Sequence, residues 1–470
     1  MIKINKIFVA DKQFYKYIFK LVLPLVAMQA MFLILNFCDI IMVGRMDESI
    51  AQTAISAAQI ANRPFMLFGM FLFGSTSGAT VLCSQYWGKK DTDTINSIAG
   101  TTLAVLLPVS IIFMTVCLIF TEQIMFLISD DPAIVAMAVK YLRIILVTFV
   151  FNAVTSLFSG ILRSVEKVIL PMMATLIGII TNIILNSVLI YGLLGFPALG
   201  IEGAAIATVI ARIVETAVIL IYVIFFEKTV KFTLKKMFRV HIIIIKDFFR
   251  YSLPVIANEF IWGFGTVIHS SIIGHMPKDE FGDPLAAYTI SNMIEQVAFM
   301  TIIGFSTACC IVIGKAIGEG KDDDTVEKYS RTFIGLAVLF AMITGGAAFI
   351  FKDFIIDIFN ISGVTKVYAS QLFTVVTIFI LLKTFNCVSI VGIFRGGGDT
   401  KTGMIIDSCA MYFLGIPLGF IAMYFLKLDV AFVYMFLISD ELFKLPVIFL
   451  RLKSRKWLRN ITREKSEIEG

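Results

Sequence analysis

The chain has 470 residues, of which 58% are hydrophobic and only 16% charged, with a formal net charge of +6 and a mean hydropathy of +0.90. Soluble globular domains carry about a quarter charged residues, so this composition excludes one and points to a membrane protein. The basic excess falls in loops and at the chain ends, where Lys and Arg orient spans and touch anionic lipid, and it does not call for nucleic acid.

In chain order, Lys3, Lys6, Lys12, Lys16 and Lys20 precede a first apolar run that begins at Leu21. That run is too long for a signal-peptide core and lacks an A-x-A site, so it is expected to be an uncleaved span. Further spans are expected near 51–82, 97–120, 135–160, 169–195 and 203–226, and after a basic connection from Glu227 to Arg250, near 252–275, 285–314, 332–351, 367–393, 404–426 and 430–450. Each of these roughly twelve runs can cross about 30 Å of hydrocarbon at about 1.5 Å per residue. They are apolar on all sides and show no strand alternation, which argues for helices and against a barrel. Most Lys and Arg lie in segments on the N-terminal side of the membrane, so both termini are expected to be cytoplasmic in a multi-pass protein of the cytoplasmic membrane.

The first span is written twice. A shift of about 230 positions lays LVLPLVAMQAMFLILNFCDIIMVGRM (21–46) over YSLPVIANEFIWGFGTVIHSSIIGHM (251–276), and brings Pro24 onto Pro254, Gly44 onto Gly274 and Met46 onto Met276. The same shift pairs Asn62 with Asn292, Gly74 with Gly304 and Gly88 with Gly318. Two halves of six spans each point the same way, related by a pseudo-twofold axis along the membrane normal. The expected division is an N-lobe at 1–229, a basic connection at 230–250, a C-lobe at 251–453 and a basic tail at 454–470.

Seven cysteines without C-x-x-C spacing give no disulfide or zinc framework. GKAIGEGKDDD and FRGGGDTKT both lack G-x-x-x-x-G-K-[ST], so the sequence carries no ATP-binding loop. The informative residues are ionisable ones at membrane depth, which usually face a cavity or a partner. They are Asp39, Arg63, Arg212, Glu215, Glu259, Glu295, Lys383, Asp407, Asp440, Glu441 and Lys444. Arg212 with Glu215, and Glu441 with Lys444, are i,i+3 neighbours that can neutralise each other. Asp39 has no such partner on its own helix. It lies about five residues, roughly 8 Å, from the outer end of its span, and the repeat places His269 opposite it. Asn182 and Asn186 make an i,i+4 polar stripe on the fifth span, as Ala204 and Thr208 do on the sixth. Three helices thus offer oxygen ligands at similar depth to a proton or a desolvated Na⁺, although spacing alone equally allows each polar group to bond its own helix.

LPLVAMQAMFLILNFCDIIMVGR, GATVLCSQYWGKKD, GILRSVEKVILPMMATLIGIITNIILNSVLIYG and GIEGAAIATVIAR, followed by YSLPVIANEF, IVIGKAIGEGKDD and GIFRGGGDTKTG, resemble the successive signatures of the multidrug and toxic compound extrusion (MATE) transporters. The resemblance covers nearly the whole chain. It implies two six-helix bundles in a V around a central cavity, and alternating access with cargo exported in exchange for H⁺ or Na⁺. It also implies, from the DinF-like branch, a coupling-cation site at Asp39, Asn182, Asn186, Ala204 and Thr208. That branch usually has an aspartate where this chain has Asn186, which gives weight to protonation of Asp39 over Na⁺ binding. The NorM-like branch centres a site on a seventh-span glutamate; Glu259 lies about one turn nearer the proline and pairs with Gln29 in the repeat. Gln29, Asn36, Glu259 and Glu295 are therefore candidates for the cavity or a second acidic site. No cofactor is expected beyond the coupling ion.

The expected cargo is small, organic, amphiphilic and cationic. The chain has 21 Met and 44 Phe, which adapt to varied shapes, and Met28, Met31, Phe32, Met66, Met70 and Met293 are candidate lining residues. Membrane lipid is the only other partner expected, and a monomer suffices. Two alternatives remain: a lipid-linked oligosaccharide flippase of the same superfamily, and a membrane-embedded transferase, for which the chain lacks H-x-x-x-x-D and H-E-x-x-H.

Overall fold

The structure, a computed structural model, describes residues 8–9, 11–46, 48–239, 241–277, 282–357 and 363–469. Among them there is no β-strand. Each expected span falls on helix: α1 (Lys12–Gly44), α2 (Ile50–Gly88), α3 (Thr92–Ile119), α4 (Pro132–Ile145 and Thr148–Ser164), α5 (Ile169–Tyr191), α6 (Gly200–Phe226), α7 (Ile242–Gly274), α8 (Pro284–Gly318), α9 (Asp323–Ile350), α10 (Gly363–Phe394), α11 (Thr400–Tyr424) and α12 (Val430–Leu437 and Asp440–Lys453). The two parts of α4 meet at a 50° bend. Nine helices among the described residues are long and apolar enough to cross a membrane, or ten with that bent pair.

Several spans start on a carboxylate that satisfies the orphan amides of the first turn. Asp91 accepts from the Thr94 amide at 3.0 Å, Asp283 from Leu285 at 3.0 Å and Asp322 from Thr325 at 3.0 Å. The loops before them repeat as well. Lys90 (φ 62°) ends α2 where Gly320 (φ 72°) ends α8, and Glu166 (φ 66°) follows α4 where Gly398 (φ 77°) follows α10. One residue beyond the second pair of turns, each half carries an ion pair on a buried carboxylate, with the sense reversed between the halves. Lys167 Nζ meets Glu227 at 2.6 Å, whereas Asp399 accepts from Arg451 at 2.7 Å.

The helices group into two compact units: Ala27–Ile256 with Arg463–Gly470, and Met1–Val26 with Ala257–Thr462. These are called the N-unit and the C-unit below. The cuts differ from the expected boundaries at 229, 251 and 453, because α1 and α7 each divide between the units. The early part of α7 packs in the N-unit and the early part of α1 in the C-unit, at corresponding glycines. In the N-unit a Cβ on Gly74 would lie 2.6 Å from Ile256 Cα; in the C-unit a Cβ on Gly304 would run into the Val26 side chain and lie 3.2 Å from its Cα. Gly74 and Gly304, like Val26 and Ile256, are repeat partners, so the same close crossing is made twice. A helical linkage that crosses this tightly packs by backbone approach, which only small residues permit.

Within the N-unit, α5 lies along α6, and Phe65, Phe68, Phe113 and Phe149 form an aromatic core with ring centroids 4.4–5.5 Å apart. Within the C-unit, Ile273, Leu372, Ala422, Val433 and Leu437 are among the fully buried residues that join α7, α10, α11 and α12. The basic tail is structured too: Trp457 is fully buried, and the Arg459 amide donates to Gly397 O at 3.0 Å.

Gly78 faces Ser252 backbone and side chain with no space for a Cβ, while Gly69 has nothing within 4 Å of that position. Gly78→Ala is therefore expected to destabilise the protein by about 1–3 kcal/mol, read as a lower Tm in fluorescence-detected thermal unfolding. Gly69→Ala is expected to leave Tm unchanged or raise it, as Ala for Gly does within a helix.

Candidate cation site

Four of the five predicted site residues form a continuous hydrogen-bonded chain through the N-unit, and the fifth closes it through its backbone. The Asn186 amide donates from Nδ2 to Asp39 Oδ1 at 2.7 Å and to Asn182 Oδ1 at 3.0 Å. Asn182 Nδ2 in turn donates to Thr208 Oγ1 at 3.3 Å, and the Thr208 hydroxyl donates to the Ala204 carbonyl at 3.0 Å. The order Asp39, Asn186, Asn182, Thr208, Ala204 thus runs across α1, α5 and α6. The helical periodicity explains it. Residues four apart on α5 and on α6 share one face, and the two faces meet, so four polar groups line up opposite one carboxylate.

Both asparagines are buried, Asn182 at 2% and Asn186 at 0% exposure. Because Nδ2 of Asn186 serves two acceptors, its own carbonyl Oδ1 is left buried without a hydrogen-bond partner among the described residues. A buried acceptor without a donor is costly, and here it sits on the group that holds Asp39. Turning the amide over would bring Oδ1 towards the carboxylate, an arrangement that an ionised Asp39 repels. It becomes favourable once Asp39 carries a proton or a cation stands between the two oxygens. The donor set, one carboxylate, two amide carbonyls, a hydroxyl and a main-chain carbonyl, is all oxygen and suits a hard cation.

Sequence reasoning missed Tyr141 on α4, which is 6% exposed and lies close to Thr208, Asn62 and Asp39. Only the repeat of apolar residues marks α4 in the sequence, so no signal singled the tyrosine out. Asn62 stands at the break between the two helical parts of α2, just before Arg63 and Pro64. Arg63, expected at membrane depth, is exposed at this break. A crevice lined by Asn182 and Thr208 continues to Arg212, Glu215 and Thr175. There the expected i,i+3 pair is made, Arg212 Nη1 to Glu215 Oε2 at 2.5 Å, and Thr175 adds a hydrogen bond to Glu215 Oε1 at 2.8 Å.

The other predicted residues do not join this chain. Gln29 lies ten residues earlier on α1, and Asn36 is on the same helix with its side chain outside the described residues. Glu259 and Glu295 belong to the C-unit, where both are paired. Arg395 donates to Glu259 at 2.8 Å; Lys383 pairs with Glu295, whose second oxygen accepts from the Tyr434 hydroxyl at 3.0 Å. Spacing could not reveal these partners, because each pair joins helices far apart in the chain. Of the candidate lining residues, Met28 is 4% exposed and belongs to the core, whereas Phe32 and Met66 are exposed at 38% and 42%.

A family model described as MatE matches residues 24–188 and again 254–421, one match in each half of the repeat. The "Probable multidrug resistance protein NorM" of Thermotoga maritima is 26% identical over 96% of this chain and 95% of its own length. The "Uncharacterized transporter YisQ" of Bacillus subtilis is 26% identical over 96% of both chains. Among solved structures, an outward-facing multidrug resistance MATE family transporter of the MOP superfamily superposes with a TM-score of 0.84 at 20% identity, covering 94% of this chain and 96% of that one. A MOP superfamily transporter from Pyrococcus furiosus, described by the reverse polarity of its binding pocket, gives 0.83 at 21% identity over 94% and 95%. With a matching family model in both halves and a fold shared along nearly its whole length, the chain belongs to the MatE family of multidrug efflux proteins, and is a multi-pass membrane transporter and not an enzyme.

Proposed function

We propose that this transporter exports small amphiphilic organic cations across the cytoplasmic membrane, with both termini inside, in exchange for H⁺, and that Asp39 is the coupling group. The observation that carries this reading is the Asn186 amide, which binds the Asp39 carboxylate through N–H and leaves its carbonyl unpartnered. The site is then built for two charge states of one residue. With Asp39 ionised, the Asn186 amide donates and the N-unit attracts a cationic cargo. With Asp39 neutralised, the amide turns its carbonyl to the new O–H, the attraction to cargo is lost, and the cargo leaves.

A proton suits this set better than Na⁺. One carboxylate among neutral oxygens offers a dehydrated metal ion a single full charge, whereas a proton needs only the carboxylate and one acceptor. Na⁺ remains the second candidate for the same five residues. The driving force is adequate for modest uphill export, since one charge crossing 100 mV releases about 2.3 kcal/mol. Cargo selection would be loose, resting on methionine and aromatic surfaces and on cation–π contact. One chain contains both halves of the repeat, so a monomer can carry out the cycle.

A lipid-linked oligosaccharide flippase would need unpaired cations to hold pyrophosphate. Arg212, Lys383 and Arg395 are each paired with a carboxylate, which argues against that alternative at these three positions, whereas Arg63 is exposed and Arg163 Nε is buried without a hydrogen-bond partner among the described residues.

In proteoliposomes loaded with ethidium, the wild type is expected to drive efflux under an imposed pH gradient. Asp39→Asn should reduce it to the protein-free background; undiminished efflux in this variant would remove Asp39 from the coupling role. Asn186→Asp adds the second carboxylate that a metal ion lacks here, so the variant is expected to gain efflux driven by a Na⁺ gradient, measured in the same vesicles at equal pH on both sides.

A further inference from the structure

Among the described residues at membrane depth, the C-unit holds more carboxylates than cations. It holds the carboxylates of Glu259, Glu295, Asp407, Asp440 and Glu441 against Lys383, Arg395 and Lys444. The pairing is uneven. Arg395 serves Glu259 and Lys383 serves Glu295, which leaves Lys444 alone with three partners: Asp407 and Asp440 at 2.7 Å and Glu441 at 3.3 Å. The Lys444 side chain is only 4% exposed. Three ionised carboxylates on one ammonium, inside helices that cross a membrane, leave an excess of charge that burial strongly disfavours.

Two further features point to what supplies the balance. Asn386 donates to Glu441 Oε2 at 2.7 Å and Asn258 to Asp407 Oδ2 at 3.3 Å, and the carbonyl oxygens of both buried amides have no partner among the described residues. On α7 of the same unit, His269 is 6% exposed, with Nε2 buried and without a hydrogen-bond partner among the described residues. The repeat puts it at the place of Asp39. A metal ion does not fit the cluster, because the ammonium of Lys444 already stands within hydrogen-bonding reach of all three carboxylates and would repel it. A proton fits, since it neutralises one carboxylate and leaves the other two on Lys444.

We propose that the Asp407, Asp440, Glu441 and Lys444 cluster holds an exchangeable proton of its own, so that a cycle moves more than one proton per cargo molecule. On release, a carboxylic O–H bond breaks, the proton passes to water, and the carboxylate left behind is held by Lys444. The reverse step reloads it. The groups that set the balance around the cluster are Glu259 and His269 on α7, Tyr288 and Glu295 on α8, Lys383 and Arg395 on α10, and Tyr434 on α12. This assignment rests on the reading of the protein as a proton exchanger, and it adds a second proton to the one at Asp39.

Infrared difference spectra of the purified protein in nanodiscs, taken between about pH 5 and about pH 9, report buried carboxylic C=O groups without any cargo. The wild-type band is expected to fall by about half in Asp39→Asn and by about half in Asp440→Asn or Glu441→Gln. In vesicles, the pH gradient that just balances an ethidium gradient should then give a proton-to-ethidium ratio above one. A band abolished by Asp39→Asn alone would overturn the second proton and leave the exchange at Asp39 standing. A band that survives Asp39→Asn and all three of Asp407→Asn, Asp440→Asn and Glu441→Gln would place the proton elsewhere and overturn the assignment, as would a ratio of one. A wild type with neither band nor proton-driven efflux would remove the proton-exchange reading itself. Since the Asp39→Asn spectrum leaves the C-unit untouched, a C-unit variant that fails to fold does not block the test.

Discussion

At hydrocarbon depth a charge needs a partner, and this requirement organises both units of the protein. The N-unit meets it sparingly. Among the described residues Asp39 has a single direct donor, Asn186, and Glu215 is held by Arg212 and Thr175. The C-unit meets it with a dense network in which Lys444 binds three carboxylates. The contrast separates two kinds of site. A carboxylate held by one neutral amide can change its charge by adjusting one side chain, whereas a cluster of acids around one ammonium can exchange a proton while the remaining charges stay paired. Both are ways to carry a cation through a region that tolerates none unpaired.

The internal repeat supplies the frame, and its two copies have diverged where the chemistry lies. Positive-φ turns recur at Lys90 and Gly320 and at Glu166 and Gly398, and the close helix crossings recur at Gly74 and Gly304. Backbone geometry is thus retained even where the side chain differs. The ion pairs after the fourth and tenth helices keep their position with the signs exchanged, Lys167 with Glu227 in one half and Asp399 with Arg451 in the other. At the depth of the proposed coupling site, Asp39 in one half is answered by His269 in the other. A duplicated scaffold lets one copy keep a simple polar chain on one carboxylate while the other carries a network of ion pairs.

Much of this was legible in the sequence. Composition and run length give the helices, the shift of about 230 residues gives the two halves, and the i,i+4 spacing on α5 and α6 gives the polar stripe that faces Asp39. The resemblance to the MATE family named the five residues that the structure links. The unit boundaries were not legible, because α1 and α7 are unbroken helices and only the backbone approach at Gly74 and Gly304 shows where each divides. Nor were the partners of Glu259 and Glu295, since Arg395 and Lys383 lie about 90 to 140 positions away and no periodicity connects them. Tyr141 is hidden for the same reason. Spacing finds neighbours on one helix and is blind to neighbours across a bundle.

The central claim is that cargo and coupling ion compete for one carboxylate at Asp39. The most direct test is the affinity of the purified wild-type protein for ethidium, measured by fluorescence in detergent as a function of pH and, separately, of Na⁺. Competition requires each ligand to weaken the other by the same factor. The account predicts that ethidium binds more tightly as pH rises, that its binding releases protons into weakly buffered solution, and that Asp39→Asn removes the linkage at this site. An affinity that does not change with pH or with Na⁺ would contradict it.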